Sequence, residues 1–80
     1  MTWNYRIVRI PLTWAPGGFY ELHEVYYDAD GKPRFRTTEA PGAGADTRDE
    51  LLQMLRTMLS DAEKYPVLDD SEIGATHEQD

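Results

Sequence analysis

The sequence predicts an α+β fold: a three-stranded antiparallel β-meander packed on one face by a single C-terminal α-helix, in the order β-β-β-α. Three observations predict it. Two extended runs rich in β-branched and aromatic residues, 5–10 (YRIVRI) and 19–28 (FYELHEVYYD), open the chain. An Asp30-Gly31 pair, the strongest short turn signal present, then leads into a third alternating run at 34–39. Finally, Leu51, Leu55, Met58 and Ala62 recur at intervals of four, three and four, a helical stripe flanked by Leu52 and Leu59.

Each element has its own local reason. The first strand is closed by Pro11, which places its end at, or its length along, a sheet edge. Residues 12–18 (LTWAPGG) carry the Pro-Gly-Gly punctuation of a connecting loop. The second strand is the longest and is expected in the middle. Alternation puts Tyr20, Leu22, Glu24 and Tyr26 on one face, and Glu21, His23, Val25 and Tyr27 on the other. In the third strand Phe35 and Thr37 oppose Arg34, Arg36 and Thr38. After a small-residue loop at 40–46, Thr47-Arg48-Asp49-Glu50 reads as a capping box, with Thr47 as N-cap and Glu50 reaching back from the first turn. The acids there also suit the positive end of the helix dipole. Tyr65 precedes Pro66, which disfavours helix at Tyr65 and stops the element. Residues 1–68 are therefore expected to form one domain, with 69–80 an acidic tail that frays.

Composition limits the chemistry. With 80 residues and no cysteine, the chain holds one modest core, and no disulfide, thiolate zinc site or cysteine nucleophile is possible. Ser60 and Ser71 fall late in the helix and in the tail, His23 and His77 are the only imidazoles, and His23-Glu24 point to opposite faces of a strand. Gly42-Ala43-Gly44 lacks the lysine and spacing of a phosphate-binding loop. The expectation is a non-enzymatic protein with no catalytic residues, no cofactor and no metal. No apolar run reaches the ~18 residues that cross a bilayer, and no signal peptide is read, so a cytoplasmic protein without a membrane partner is expected.

The net charge is −7, and all of it falls in residues 46–80, where ten acids face three bases; residues 1–45 sum to zero. Such a field repels phosphate backbones and attracts a basic protein surface, which argues against direct nucleic-acid binding and for a protein partner. Two binding surfaces follow. If the helix covers the face of Tyr20, Leu22, Tyr26 and Phe35, then Glu21, His23, Tyr27, Arg34 and Arg36 lie on an open face with the composition of an interface. Asp61, Glu63, Asp69, Asp70 and Glu72 supply negative charge at phosphate-like spacing. The first strand, with Trp3, Tyr5, Ile7 and Arg9, reads as an unprotected edge through which a second copy pairs.

Three strings, WNYRIVR at 3–9, YELHEVYYD at 20–28 and PVLD at 66–69, resemble a group of small uncharacterised bacterial and phage proteins. The most specific part is HEVYYD followed by the Asp-Gly turn. Small size, acidity and lack of cysteine are also similar to anti-CRISPR proteins, several of which cover a basic DNA-binding site. That likeness implies an inhibitor that blocks the DNA-binding surface of a nucleic-acid-handling complex. Three meander strands followed by the threonine-capped DTRDELLQML helix resemble HicB-type antitoxins, and imply instead a module that neutralises a small toxin.

Overall fold

The computed structural model describes residues 2–39 and 42–74. It is an α+β structure with one α-helix and a four-stranded mixed sheet of order β3-β2-β1-β4, formed by β1 (Thr2–Leu12), β2 (Ala15–Tyr27), β3 (Pro33–Arg36) and β4 (Leu68–Asp69). The helix α1 spans Arg48–Lys64, and a short 3-10 helix spans Asp70–Glu72. The meander β1-β2-β3 is antiparallel, as the sequence predicts, with β2 central among the three.

The first hairpin is tighter than the sequence predicts. Instead of a seven-residue loop, β1 runs through Pro11 to Leu12, and Thr13-Trp14 alone make the turn. Pro11 is accommodated where the register with β2 shifts between Ile10 and Leu12, so its missing N–H costs no ladder bond. Gly17 and Gly18, with φ of 99° and 93°, lie inside β2. The second turn follows the sequence. Asp28 Oδ1 accepts the backbone N–H of Asp30 and of Lys32, and Gly31 takes φ 80°. Those bonds, the one from Lys32 foremost, hold the Asp28 carboxyl below its ordinary range.

The helix forms where its capping pattern places it, although of the expected reciprocal box the Thr47 half alone is made among the described residues. Thr47 Oγ1 accepts the N–H of Glu50 at 3.1 Å, and extended backbone at Tyr65 ends it before Pro66. Its stripe is another matter. Only Met58 is buried, while Leu55 and Leu59 are exposed, and α1 lies against β1 rather than across the sheet.

The core sits on the opposite side from the one expected, and a different element closes it. Val8 and Val25 are fully buried together with Leu68 and Ile73, with Ile10 and Tyr27 packed against them. Leu68 closes the expected domain, but Ile73 comes from the segment 69–80 expected to be a fraying acidic tail, so the packed chain runs past residue 68. Leu68 and Asp69 pair in parallel with Val8 and Arg9, and the chain then crosses the sheet as a strap, bringing Asp70 to Arg36 on the far strand β3. The strap begins with a reciprocal cap: Asp69 accepts from Ser71 N, and Glu72 Oε2 accepts the N–H of Asp69 at 2.9 Å. Residues 75–80, the rest of the expected tail, lie outside the described residues.

Candidate protein-binding face

Register assigns each side chain to a face. Trp3, Tyr5, Ile7 and Arg9 of β1 pair with Tyr26, Glu24, Leu22 and Tyr20 of β2, and Tyr26 pairs in turn with Phe35 of β3. These nine share one face. Asn4, Arg6, Val8 and Ile10 pair with Val25, His23, Glu21 and Phe19, and Val25 pairs with Arg36, on the other.

The face expected to be open is the one the strap covers. His23 is fully buried, its Nδ1 at 2.9 Å from Thr37 Oγ1 and its Nε2 at 2.8 Å from Glu21 Oε1. A carboxylate only accepts, so a hydrogen on Nε2 meets Glu21, and Thr37 Oγ1, beside Nδ1, also accepts the Glu24 N–H. Tyr27 donates from its hydroxyl to Asn4 Oδ1 and accepts from Arg6. Arg36 meets Asp70 at 2.6 Å with both side chains largely buried, and donates to the carbonyls of Thr37 and Thr38. His23 therefore lies in the interior, with Glu21, Tyr27 and Arg36 half-buried at its border, so this is not the open face that the sequence predicts. Their polar groups are tied down by one another and by Asn4, Arg6 and Thr37, and for Arg36 by Asp70 of the strap. Arg34 is half-buried in a cavity at the turn end.

The acidic set is dispersed in the same way. Asp61 Oδ2 accepts the backbone N–H of Tyr5, Asp69 pairs with Arg9 at 2.8 Å, Asp70 holds Arg36, and Glu72 caps Asp69. Hydrogen bonds from Ser71, then the Arg9 guanidinium, keep the Asp69 carboxyl below its ordinary range. Of the five, Glu63 alone is an exposed helix carboxylate without such a bond among the described residues. Spacing along the chain shows negative charge, but four of the five carboxylates are structural acceptors.

The dimer edge is corrected too. β1 is not a sheet edge: β4 pairs with Val8 and Arg9, and Asp61 takes the outward N–H of Tyr5. Strand pairing between two copies along β1 has no free ladder there.

What stays open is the face of Trp3, Tyr20 and Phe35, which are 49 %, 58 % and 42 % exposed. The other six of its nine residues are half-buried, and none is fully buried. Trp3, Tyr26 and Phe35 form an aromatic row across three strands; Trp3 meets Tyr5 edge-on at 5.2 Å between centroids and lies 6.1 Å from Tyr26. Glu24 sits in the next row, accepting a short hydrogen bond from the Tyr26 hydroxyl, which raises the Tyr26 pKa above its ordinary value. Burial, then the Glu24 and Asp61 carboxylates, raises that of Tyr5. The result is a carboxylate flanked by the Tyr5 and Tyr26 rings on paired strands. Alternation gives the membership of this face, but not that it is left open, because that depends on where the helix and the strap go.

Among the described residues no helix is long and apolar enough to cross a membrane. Compared with protein-family models, with curated proteins and with solved structures, the chain gives no match.

Proposed function

We propose that this chain is a non-enzymatic interaction protein whose open aromatic sheet face docks on a cationic surface of a protein partner. The observation that carries the reading is the Trp3-Tyr26-Phe35 row, exposed at both ends beside the Glu24 carboxylate. Large aromatic groups held on strands lose little conformational freedom on binding and dominate interface energetics. A carboxylate among aromatic faces, on a chain of net charge −7, favours lysine and arginine across the interface. The sharpest form is an inhibitor, similar in manner to anti-CRISPR proteins, that occupies the basic nucleic-acid-binding surface of a larger complex. In that form the aromatic face, rather than the carboxylates of residues 61–72, makes the contact.

The test is affinity capture from host lysate at low and high salt, comparing the native chain with the double variant Trp3→Ala/Phe35→Ala, whose fold is checked by circular dichroism. The native chain should retain a nucleic-acid-handling complex at low salt and compete with its DNA, with the variant weaker by about tenfold or more. Equal recovery by both chains would sink the reading. A small basic partner, retained in high salt and lost in the variant, would make the same face that of an antitoxin-like module.

A further inference from the structure

Away from the aromatic face, the turn end of the sheet holds a cavity of about 390 Å³ whose lining includes Arg6, Lys32 and Arg34. Three cations at one cavity stand out on a chain of net charge −7. Two carboxylates, Asp28 and Glu72, line it as well, but both are engaged with backbone. Asp28 Oδ1 accepts two turn N–H groups, and Glu72 Oε2 accepts the N–H of Asp69. Among the described residues the arginine–carboxylate pairs are those of Arg9 and Arg36, and none involves Arg6, Lys32 or Arg34. Arg6 is nevertheless fixed in place. Its Nε donates to the Pro66 carbonyl at 2.9 Å and its Nη1 to the Tyr27 hydroxyl at 3.1 Å. Two of the five guanidinium N–H groups are thereby used, and three remain. Arg34 is half-buried and makes no hydrogen bond to a described residue; Asp28 faces it and Lys32 electrostatically, which leaves the guanidinium N–H donors of Arg34 without a fixed acceptor among the described residues.

We propose that this cavity binds a small tetrahedral oxyanion, either free phosphate or the phosphate of a phosphorylated small molecule, with Arg6 and Arg34 as forked donors and Lys32 as a mobile cation at the rim. Planar guanidinium groups match such oxygens in pairs, and an ammonium on an exposed turn adds charge without fixed geometry. The site is independent of the aromatic face, and neither depends on the other.

The test is a two-dimensional ¹H–¹⁵N NMR titration of the full chain with inorganic phosphate and with phenyl phosphate at about pH 7.5, where the phosphate is largely dianionic, with sodium chloride holding ionic strength constant. Saturable shifts at the amides of Gly31, Lys32 and Arg34 and at Arg6 Nε–H are expected. Arg34→Gln should weaken binding by about tenfold, and Lys32→Gln, at an exposed turn position, by about threefold. Tighter binding of phenyl phosphate assigns the site to phosphate esters, and equal affinity assigns it to the free ion. Shifts that rise linearly without saturating, or affinities unchanged in Lys32→Gln and in whichever of Arg34→Gln and Arg34→Lys folds, overturn the proposal.

Discussion

Gly18 shows how one missing side chain can hold a hairpin together. Its φ is 93°, and a Cβ there would lie 2.7 Å from Arg9 Nε. That guanidinium is pinned on two sides, by the Gly17 carbonyl at 2.7 Å and by Asp69 at 2.8 Å, so it cannot swing away freely. Gly18→Ala should therefore combine backbone strain with loss of the Arg9–Asp69 tie and cost about 2–3 kcal/mol. Gly31→Ala, where φ is 80° but nothing lies within 4 Å of the added carbon, should cost only the strain, about 1 kcal/mol. Urea titration of both variants checks the ordering. The Arg36–Asp70 pair is the second residue-scale determinant. Its side chains are 14 % and 12 % exposed, so removing one charge strands the other in a poorly solvated place. Asp70→Asn should destabilise the chain by about 3 kcal/mol, measured in the same way. Any variant that reverses Asp69 and Asp70 together would report unfolding before it reported binding.

At the scale of elements, the strap and the helix exchange the roles their sequences advertise. The helix has the longer apolar stripe, yet Leu55 and Leu59 stay exposed and only Met58 is buried. The strap has just Leu68 and Ile73 as buried apolar anchors, yet both enter the cluster with Val8 and Val25. Ile73→Ala should therefore cost about 3 kcal/mol, close to a core truncation elsewhere, whereas Leu59→Gln should stay within about 0.5 kcal/mol. Comparable costs for the two would mean that the helix, not the strap, closes the core. The strap also explains the sheet's edges. β4 and Asp61 together occupy the outer side of β1 at Tyr5, Val8 and Arg9, the middle of that strand.

For the whole molecule, pH links charge to stability. The Asp28 and Asp69 carboxyls are held below their ordinary range in the folded chain, by backbone N–H groups of Lys32 and Ser71 foremost. A depressed folded pKa means that the folded state binds its proton less readily than the unfolded state does. Both groups therefore stabilise the fold above the ordinary carboxylate value of about 4, and this contribution is lost as pH falls through their lower folded values. Thermal midpoints should fall between pH 5 and pH 3 in the native chain, and fall less in Asp69→Asn, as read by circular dichroism at about these pH values. At neutral pH the same acids leave the chain at −7, and association through the aromatic face should weaken with salt as exposed charges are screened.

Local chemistry was legible in the sequence. The antiparallel order of the first three strands, the Asp-Gly turn, the Thr47 cap and the stop before Pro66 depend on residues within a few positions of one another and form as expected, although β1 and β2 run on through most of the segment read as a loop and β3 ends at Arg36. Alternation likewise assigned Tyr26 and Phe35 to one face and Val25 and Arg36 to the other. Even the strap left a local trace, since Asp69-Asp70-Ser71-Glu72 is itself a capping pattern followed by a lone isoleucine. An acidic run so near the end of the chain reads as solvated because its partners, Arg9 and Arg36, lie 60 and 34 positions away. Which face is closed, and so which residues can meet a partner, was decided by tertiary structure alone. A strand offers two half-apolar faces of similar burial value, and only the long-range ion pairs and the fit of Leu68 and Ile73 select between them.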